Sequence, residues 1–564
     1  MRVVRVLPDG PIDKTFDYTV PASMDAQVRV GTLVRVELHG RRVRAWVVAD
    51  GVEPPPGVQL RDIAKVTGRG PSEDVVELAQ WGAWRWAGRP AQLLGTASPP
   101  VAVRELPAAR PRTRTAPTNE LAAEALGRPR SVVRLGPAGD RYPLLVAVAS
   151  ACDALVLTQS VESAARLAGR LRRDGVPVAL MPRDWAAAAS GGHAVIGTRA
   201  AAWAPAPTLG AVVVLDAHDE VYQEERAPTW NAWVVAAERA ERAGVPCVLV
   251  TPCPTPDHLA WGPVLPPSRS DERAGWPALD VVDRRADDPR SGLFSERLVS
   301  ALRSEGRVVC VLNRKGRARL LACTACGELA RCEVCGAAVS QDADTLHCSH
   351  CGATRPVVCA SCGSTRLKTL RAGVSRVREE LEALAGRPVG EVTGETAEVP
   401  DVPVVVGTEA VLHRVSTANT VAFLDFDQEL LAPRYRAGEE ALALLVRAAR
   451  LVGPRAGGGR VLVQTRLPDH EVIDAAVGAD PSAWATAETE RRSALGLPPS
   501  TAMALVSGEA AEAFVAQIAG VEVQGPADGR YRLRAPSHST LCDALAAAPR
   551  PPGRLRVEVD PLRI

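Results

Sequence analysis

Short runs in which apolar and polar positions alternate fill residues 1 to about 68, as in RVVRVL and GTLVRVELHGRRVRAWVVADG. A period of two turns every second side chain to the same face, so this segment predicts a small β-rich module. A helical pattern around 75–86 follows, and residues 1–98 read as one N-terminal unit. From 99 to 130 the chain turns to PPVAVRELPAARPRTRTAP, where proline withholds amides and arginine stays solvated, which predicts a linker. Over 131–270 the pattern changes to short, wholly apolar runs, SVVRL, ALVLT, AVIGT, AVVVLD and PCVLVT, separated by Ala/Arg-rich helical stretches. Strands apolar on both faces and alternating with helices predict a doubly wound parallel sheet. A second set, RVVCVLN, DVPVVVGT, TVAFLD and GRVLVQT, spans 271–487 and is interrupted at 320–366 by a cysteine-rich block. Residues 488–564 mix strands with one or two helices and predict a small α+β domain. The expected fold class is therefore multidomain α/β: a β-rich N-terminal module, two α/β lobes in tandem with an insertion in the second, and an α+β tail.

Composition refines this picture in three ways. A formal net charge of only +2 over 564 residues confines any nucleic-acid surface to a local patch. Of 67 basic residues only Lys14, Lys65, Lys315 and Lys368 are lysines, and Phe and Tyr number five each, so a retained lysine or aromatic carries more information than usual. No stretch of about 18 uninterrupted apolar residues spans a bilayer, and the first residues lack a signal-peptide pattern, so no membrane association and a cytoplasmic location are expected.

In a reducing compartment thirteen cysteines point to metal ligands and buried thiols rather than disulfides. Eight of them form four Cys-x-x-Cys knuckles: Cys323/Cys326, Cys332/Cys335, Cys348/Cys351 and Cys359/Cys362. Each knuckle offers two thiolates from one tight turn and a tetrahedral zinc site needs four, so eight thiolates match two Zn2+ ions per chain. Gly327, Gly336, Gly352 and Gly363 follow the knuckles, where a positive φ folds the turn back on the sulfurs. With four thiolates per ion no position stays open for water, so the metal role is structural. His347 and His350 beside the third knuckle are surplus to two complete sites. Cys152, Cys247, Cys253, Cys310 and Cys542 are expected in apolar cores.

NRKGRARLLAC at 313–323, the four knuckles, LDFDQELLAPRYRAGEE at 424–440 and GRVLVQTRLPDHEVI at 459–473 together resemble the PriA family of primosomal replication-restart proteins. TFDYTVP at 15–21, VIGTRAAAWAP at 195–205 and VEVDP at 557–561 extend the resemblance, in family order, over nearly the whole chain. The resemblance implies helicase-like lobes of superfamily 2. It implies a nested pairing of the knuckles, with Cys323, Cys326, Cys359 and Cys362 on one ion and Cys332, Cys335, Cys348 and Cys351 on the other; a sequential pairing satisfies the same spacing. It also implies that the N-terminal module cradles a 3′ DNA end, the contacting positions mapping to Phe16, Asp17, Tyr18, Gly40 and Lys65. An aromatic for a terminal base, a carboxylate for a 3′-hydroxyl and a lysine for phosphate are what such a pocket requires.

The resemblance also marks where a motor should be. A phosphate loop needs free amides, a lysine and a hydroxyl on magnesium. The matching segment here is Gly136-Pro137-Ala138-Gly139-Asp140-Arg141-Tyr142-Pro143, with Tyr142 at the lysine position and Pro143 at the hydroxyl position. The magnesium-carboxylate box becomes Leu215-Asp216-Ala217-His218, with leucine at the metal position; a one-residue shift offers Asp216 but leaves Ala217 where a water-activating acid belongs. The coupling motif reads Thr251-Pro252-Cys253-Pro254, and the arginine motif, 446–453, retains Arg447 and Arg450. ATP and Mg2+ are thus not expected as cofactors, and no helicase or ATPase activity is expected. The winged-helix domain of the family is expected to be reduced or absent within 99–130. The implied function is recognition of branched or forked DNA and single-stranded 3′ ends, with recruitment of primosome proteins, the replicative helicase or its loader, and single-stranded DNA-binding protein, at the nucleoid. The competing readings are an active ATP-dependent 3′–5′ DNA helicase with divergent motifs, and a zinc-bearing scaffold without DNA contacts.

Overall fold

The computed structural model describes residues 2–10, 14–53, 57–111, 113–287, 293–312, 321–348, 351–369, 374–394, 396 and 398–563. The sequence NRKGRAR at 313–319, with Lys315, and His350 lie outside the described residues.

Five antiparallel strands build the N-terminal module in the spatial order Phe16–Thr19, Val3–Pro8, Arg41–Asp50, Leu33–Leu38, Lys65–Gly68. Their alternation buries Val4, Val6, Val34, Val36, Ala45 and Val47 on one face. Residues 61–64 run from the Phe16–Thr19 edge into the opposite edge strand Lys65–Gly68, Thr19 N–H donating to the Arg61 carbonyl at 3.0 Å and Ala64 N–H to the Arg35 carbonyl of Leu33–Leu38 at 3.0 Å, so the sheet curls towards closure. The other face presents Leu7, Leu33 and Trp46 to the helices Glu73–Arg85 and Pro90–Ala97. Those helices do not merely cap the module. Leu78, Trp86 and Leu93 join Trp203 and Trp230 of the first lobe and Phe514, Leu541 and Leu545 of the C-terminal domain in one continuous core. Of the linker read at 99–130, the described residues of 99–118 form no helix or extended strand, only an isolated pairing of Arg69 with Val103, but Glu120–Leu126 is a helix whose Ala122 and Ala125 pack in the first-lobe core, and a strand opens at Arg130.

Both lobes are parallel sheets, and every apolar run read from the sequence is a strand. The first has seven strands in the order Val264–Leu265, Arg130–Arg134, Cys247–Thr251, Leu209–Leu215, Asp153–Leu157, Ala194–Gly197, Val178–Leu180. The second has six, Ala278–Asp283, Arg460–Thr465, Thr420–Phe423, Val308–Val311, Val404–Gly407, Val389–Val392. Helices on both faces remove these strands from water, which is why their sequences show no polar alternation. The C-terminal domain is a four-stranded antiparallel sheet, Glu522–Ala527, Arg530–Ala535, Ala502–Ser507, Arg556–Val559, covered on one face by Ala511–Val515 and His538–Ala547. The helix Pro481–Ala494 runs across residue 488, where the sequence reading divides the second lobe from the tail, and its Trp484 and Ala485 pack in the second-lobe core. No helix among the described residues is long and apolar enough to cross a membrane.

The segment VEVDP at 557–561 explains itself in the fold. Asp560 accepts from Arg85 Nη2 at 2.6 Å and lies 2.8 Å from His538 Nε2, the Thr229 hydroxyl donates to the Val559 carbonyl at 3.2 Å, and the Tyr435 hydroxyl donates to the Pro561 carbonyl at 3.3 Å. One short stretch thereby ties the N-terminal helix and both lobes together.

Candidate functional site

The cysteine block consists of four copies of one turn. In each knuckle the glycine amide after the second cysteine donates to the carbonyl of the first, Gly327 to Cys323, Gly336 to Cys332 and Gly352 to Cys348 at 2.9 Å, and Gly363 to Cys359 at 3.0 Å. All four glycines have φ between +72° and +77°, a left-handed conformation that a Cβ would strain. The turns bring the thiols together in the nested arrangement: Cys323, Cys326, Cys359 and Cys362 form one group, Cys332, Cys335, Cys348 and Cys351 the other, each with its sulfurs within 4.8 Å of one another. The closest sulfur pairs are 3.5 Å (Cys323–Cys362), 3.6 Å (Cys326–Cys359), 3.5 Å (Cys332–Cys351) and 3.5 Å (Cys335–Cys348). A tetrahedron of thiolates about 2.3 Å from a zinc ion has edges of about 3.8 Å, so both groups fit a metal ion. His347 is exposed on the strand Thr345–His347 and belongs to neither group. The block docks on the second lobe, where Ala322, Leu329 and Ala338 pack on Leu431 and Leu467, and Arg466 donates to the Gly327 carbonyl at 3.2 Å. Of the other thiols, Cys247, Cys253, Cys310 and Cys542 are buried and Cys152 partly so.

On the N-terminal module a hollow opens between the Phe16–Thr19 edge, the 38–41 turn and residues 58–61, and it gathers Phe16, Asp17, Tyr18 and Gly40. Gly40 owes its place to the backbone, since the two-residue turn from Leu38 to Arg41 puts His39 at φ +50° and Gly40 at φ +74°. Tyr18 is only 5% exposed and its hydroxyl donates to the Glu37 carbonyl at 2.8 Å, so it forms a wall rather than a stacking surface. Phe16 is the half-buried aromatic. Lys65 is exposed on the strand Lys65–Gly68, pairing with Arg35, and does not line the hollow. Arg5, which the sequence reading did not single out, does line it.

Between the lobes, the loop after Arg130–Arg134 has three of its amides bonded within the protein. Ala138 N–H donates to the Gly275 carbonyl at 3.1 Å, Gly139 N–H to the Gly136 carbonyl at 2.8 Å and Tyr142 N–H to Asp140 Oδ1 at 2.9 Å. Gly136 is needed for packing, because a Cβ there would come within 2.9 Å of the Gly275 backbone. Tyr142 is turned away, its hydroxyl donating to Asp174 at 2.5 Å and its ring stacked under Arg170 at 3.5 Å. Pro143 occupies the first turn of Tyr142–Ala151, where its missing amide costs nothing. Leu215 is buried and its carbonyl accepts from the Tyr222 hydroxyl at 2.6 Å.

Asp216, 1% exposed, is gripped from both lobes. Arg141 donates to Oδ2, and Arg450 of the second-lobe helix Ala437–Val452 donates to Oδ1 at 2.6 Å and to Oδ2 at 3.1 Å. Arg450 also donates to the Pro137 carbonyl at 3.2 Å. Arg447, one helical turn earlier on the same face, pairs with Asp219 at 2.9 Å. Burial alone pushes the Asp216 carboxyl up, but Arg450 and Arg141 overcome it and hold the group well below the ordinary carboxylate range. Burial drives His218 down to about 4, so this histidine stays neutral at physiological pH. A further buried pair, Arg134 with Glu272 at 2.8 Å, continues the contact, and Arg134 reaches Ser482 at 2.6 Å.

Residues 5–99 match the family described as 3′DNA-binding domain (3′BD). Over 560 residues the chain is 30% identical to the probable replication restart protein PriA of Mycobacterium tuberculosis, covering 88% of this chain and 85% of that protein. The chain belongs to the PriA family. PriA of Haemophilus influenzae is 28% identical over 415 residues, an alignment that takes in 64% of this chain and 57% of that protein, and PriA of Mycobacterium leprae is 29% identical over 578 residues, covering 88% and 86%. Among solved structures, a DEAD box protein of Methanococcus jannaschii gives a TM-score of 0.33 at 9% identity, covering 64% of this chain and 91% of that one, a likeness too slight to build on.

Proposed function

We propose that this PriA-family chain is a replication restart factor that recognises branched DNA carrying a nascent 3′ end and promotes primosome assembly and replicative-helicase reloading without hydrolysing ATP. DNA recognition is supported by the match of residues 5–99 to a 3′DNA-binding domain and by the hollow around Phe16 and Asp17. The motorless part rests on one observation. Three amides of the loop, those of Ala138, Gly139 and Tyr142, and the Asp216 carboxylate are bonded to protein groups, with Arg450 lying between Asp216 and the Pro137 carbonyl. A nucleotide entering there has to break these contacts, and it gains neither the lysine nor the hydroxyl that a phosphate loop supplies. The two cysteine groups would each hold a zinc ion, whose thiolate ligands leave no open position, so the metal supplies rigidity to the insertion rather than chemistry.

Purified protein is expected to bind a model fork bearing a 3′ nascent end while releasing no phosphate above background from ATP in the same samples. Fork-stimulated turnover at 1 s⁻¹ or more, on the order of ordinary enzymes, would establish an active helicase instead. Phe16→Ala with Asp17→Ala is expected to weaken 3′-end fork binding by on the order of tenfold or more, since stacking on one base contributes about 1–3 kcal/mol. Unchanged affinity in that double variant would favour a scaffold without DNA contacts at this module.

A further inference from the structure

The 3′-end hollow contains a cation that the family resemblance does not assign. Arg5 stands directly opposite Asp17 in the antiparallel pairing of Val3–Pro8 with Phe16–Thr19. Its Nε donates to Asp17 Oδ1 at 2.8 Å and its Nη2 to Oδ2 at 3.1 Å, a two-pronged contact that fixes the plane of the carboxylate. The Asp17 side chain is 9% exposed and that of Arg5 42%, so the carboxylate is sunk into the wall and the guanidinium stands at the mouth. The third nitrogen, Nη1, makes no hydrogen bond among the described residues. The other arginine of the hollow, Arg61, is already paired with Glu37 at 2.7 Å, and Lys65 lies outside it.

These placements raise an electrostatic question. A bare carboxylate beside a DNA terminus repels the adjoining phosphates, whereas one paired with arginine presents an acceptor without net charge. Two of the roughly four lone-pair positions on Asp17 are taken by Arg5, which leaves room for a terminal hydroxyl. We propose that Arg5 is a positioning and specificity-determining residue of the 3′-end site: it holds Asp17 as the acceptor for the 3′-hydroxyl and offers Nη1 to the neighbouring phosphate. The inference rests on the 3′-end reading of this module. Arg5 lines the hollow and Lys65 does not, so the phosphate contact within the hollow falls to Arg5.

The test uses the full chain and forks ending in a 3′-hydroxyl, a 3′-deoxy group or a 3′-phosphate, titrated over a range of salt. Wild-type protein is expected to prefer the 3′-hydroxyl by about tenfold, the discrimination a single lost hydrogen bond at a desolvated site brings. Arg5→Ala is expected to bring that preference to within about twofold and to make the slope of log K against log salt shallower by about one. Arg5→Lys keeps the charge but not the fork geometry, so it is expected to keep the salt slope and lose the preference. An Arg5→Ala protein that keeps both preference and slope, at wild-type melting temperature, overturns the role of Arg5 while leaving the 3′-end reading standing. A wild-type protein indifferent to the chemistry of the 3′ end overturns both. Arg5→Lys also guards against misfolding: if Arg5→Ala melts early, loss of preference with retained slope in the lysine variant still supports the assignment, and full retention of preference still defeats it.

Discussion

Stripping the metal from this protein is expected to release residues 321–369 as an unfolded loop while both lobes stay folded. The insertion buries little apolar surface: its core is Leu321, Ala330, Val339 and Leu346 with the thiols Cys332 and Cys348, and its strands are three residues each. Ordering a segment of this size costs about 1.5 kcal/mol per residue, far beyond what such a core returns. Metal binding to the two thiolate groups adds the missing stabilisation, because such a site does not exist in the unfolded chain and its binding free energy becomes folding free energy. Elemental analysis is expected to give two zinc ions per chain, and limited proteolysis after chelation to cut within 321–369 first. Cys348→Ser, at a buried thiol, is expected to lower the stoichiometry to one and to expose the block. An insertion that resists protease after complete metal removal would show that its own packing suffices; a stoichiometry of zero would remove the metal from the account altogether.

Asp216→Asn is expected to cost about 3 kcal/mol in the first unfolding transition, at the lower end of the range for breaking a buried ion pair. The lower end applies because the flanking side chains of Arg141 and Arg450 are 25% and 30% exposed and keep some hydration. The substitution leaves two guanidinium groups facing a neutral amide, one on each lobe, so the lobes themselves are pushed apart. The pH dependence follows from the sign of the shift. The folded-state pKa of Asp216 is depressed, so its contribution is fully present above the unfolded value of about 4 and is lost as pH falls through the folded value. The difference between wild type and Asp216→Asn is therefore expected to be constant from pH 5 to 8 and to shrink in strong acid. Urea unfolding across that range, with a fluorescence distance between the lobes, checks both parts. A destabilisation under about 0.5 kcal/mol, the level of an ordinary surface change, would mean that the pair is not a latch. Opening of the wild-type lobes on adding ATP would mean that nucleotide still competes for the site.

Much of this protein is legible in its sequence because the relevant signals are local. The apolar runs of the two lobes are strands in the structure because a strand covered on both faces needs apolar residues throughout. The knuckles are legible because two thiolates three residues apart followed by glycine specify a turn within a few residues. The reading of a motorless chain, which is a proposal, rests on Tyr142 and Pro143 at the lysine and hydroxyl positions of the matching loop and on Leu215 at the magnesium-carboxylate position, substitutions visible in the sequence alone. Long-range partners left no such mark. Arg447 and Arg450 read as leftovers of an arginine motif, yet they grip Asp219 and Asp216 from more than 200 residues away. Lys65 reads as a member of the 3′-end pocket; it does not line the hollow, whereas Arg5, opposite Asp17 across two paired strands, does.

The sequence by itself determined the element types, the four Cys-x-x-Cys knuckles and the family, because hydrophobic period, turn glycines and motif order act over tens of residues at most. The tertiary structure decided the nested grouping of the knuckles, which spacing left open and the resemblance implied, and it alone revealed the single core shared by the N-terminal helices, the first lobe and the C-terminal domain, and the contact of Arg450 with Asp216 and the Pro137 carbonyl. Those depend on which surfaces meet when the lobes close, and a buried carboxylate such as Asp216 takes whichever cations packing delivers to it.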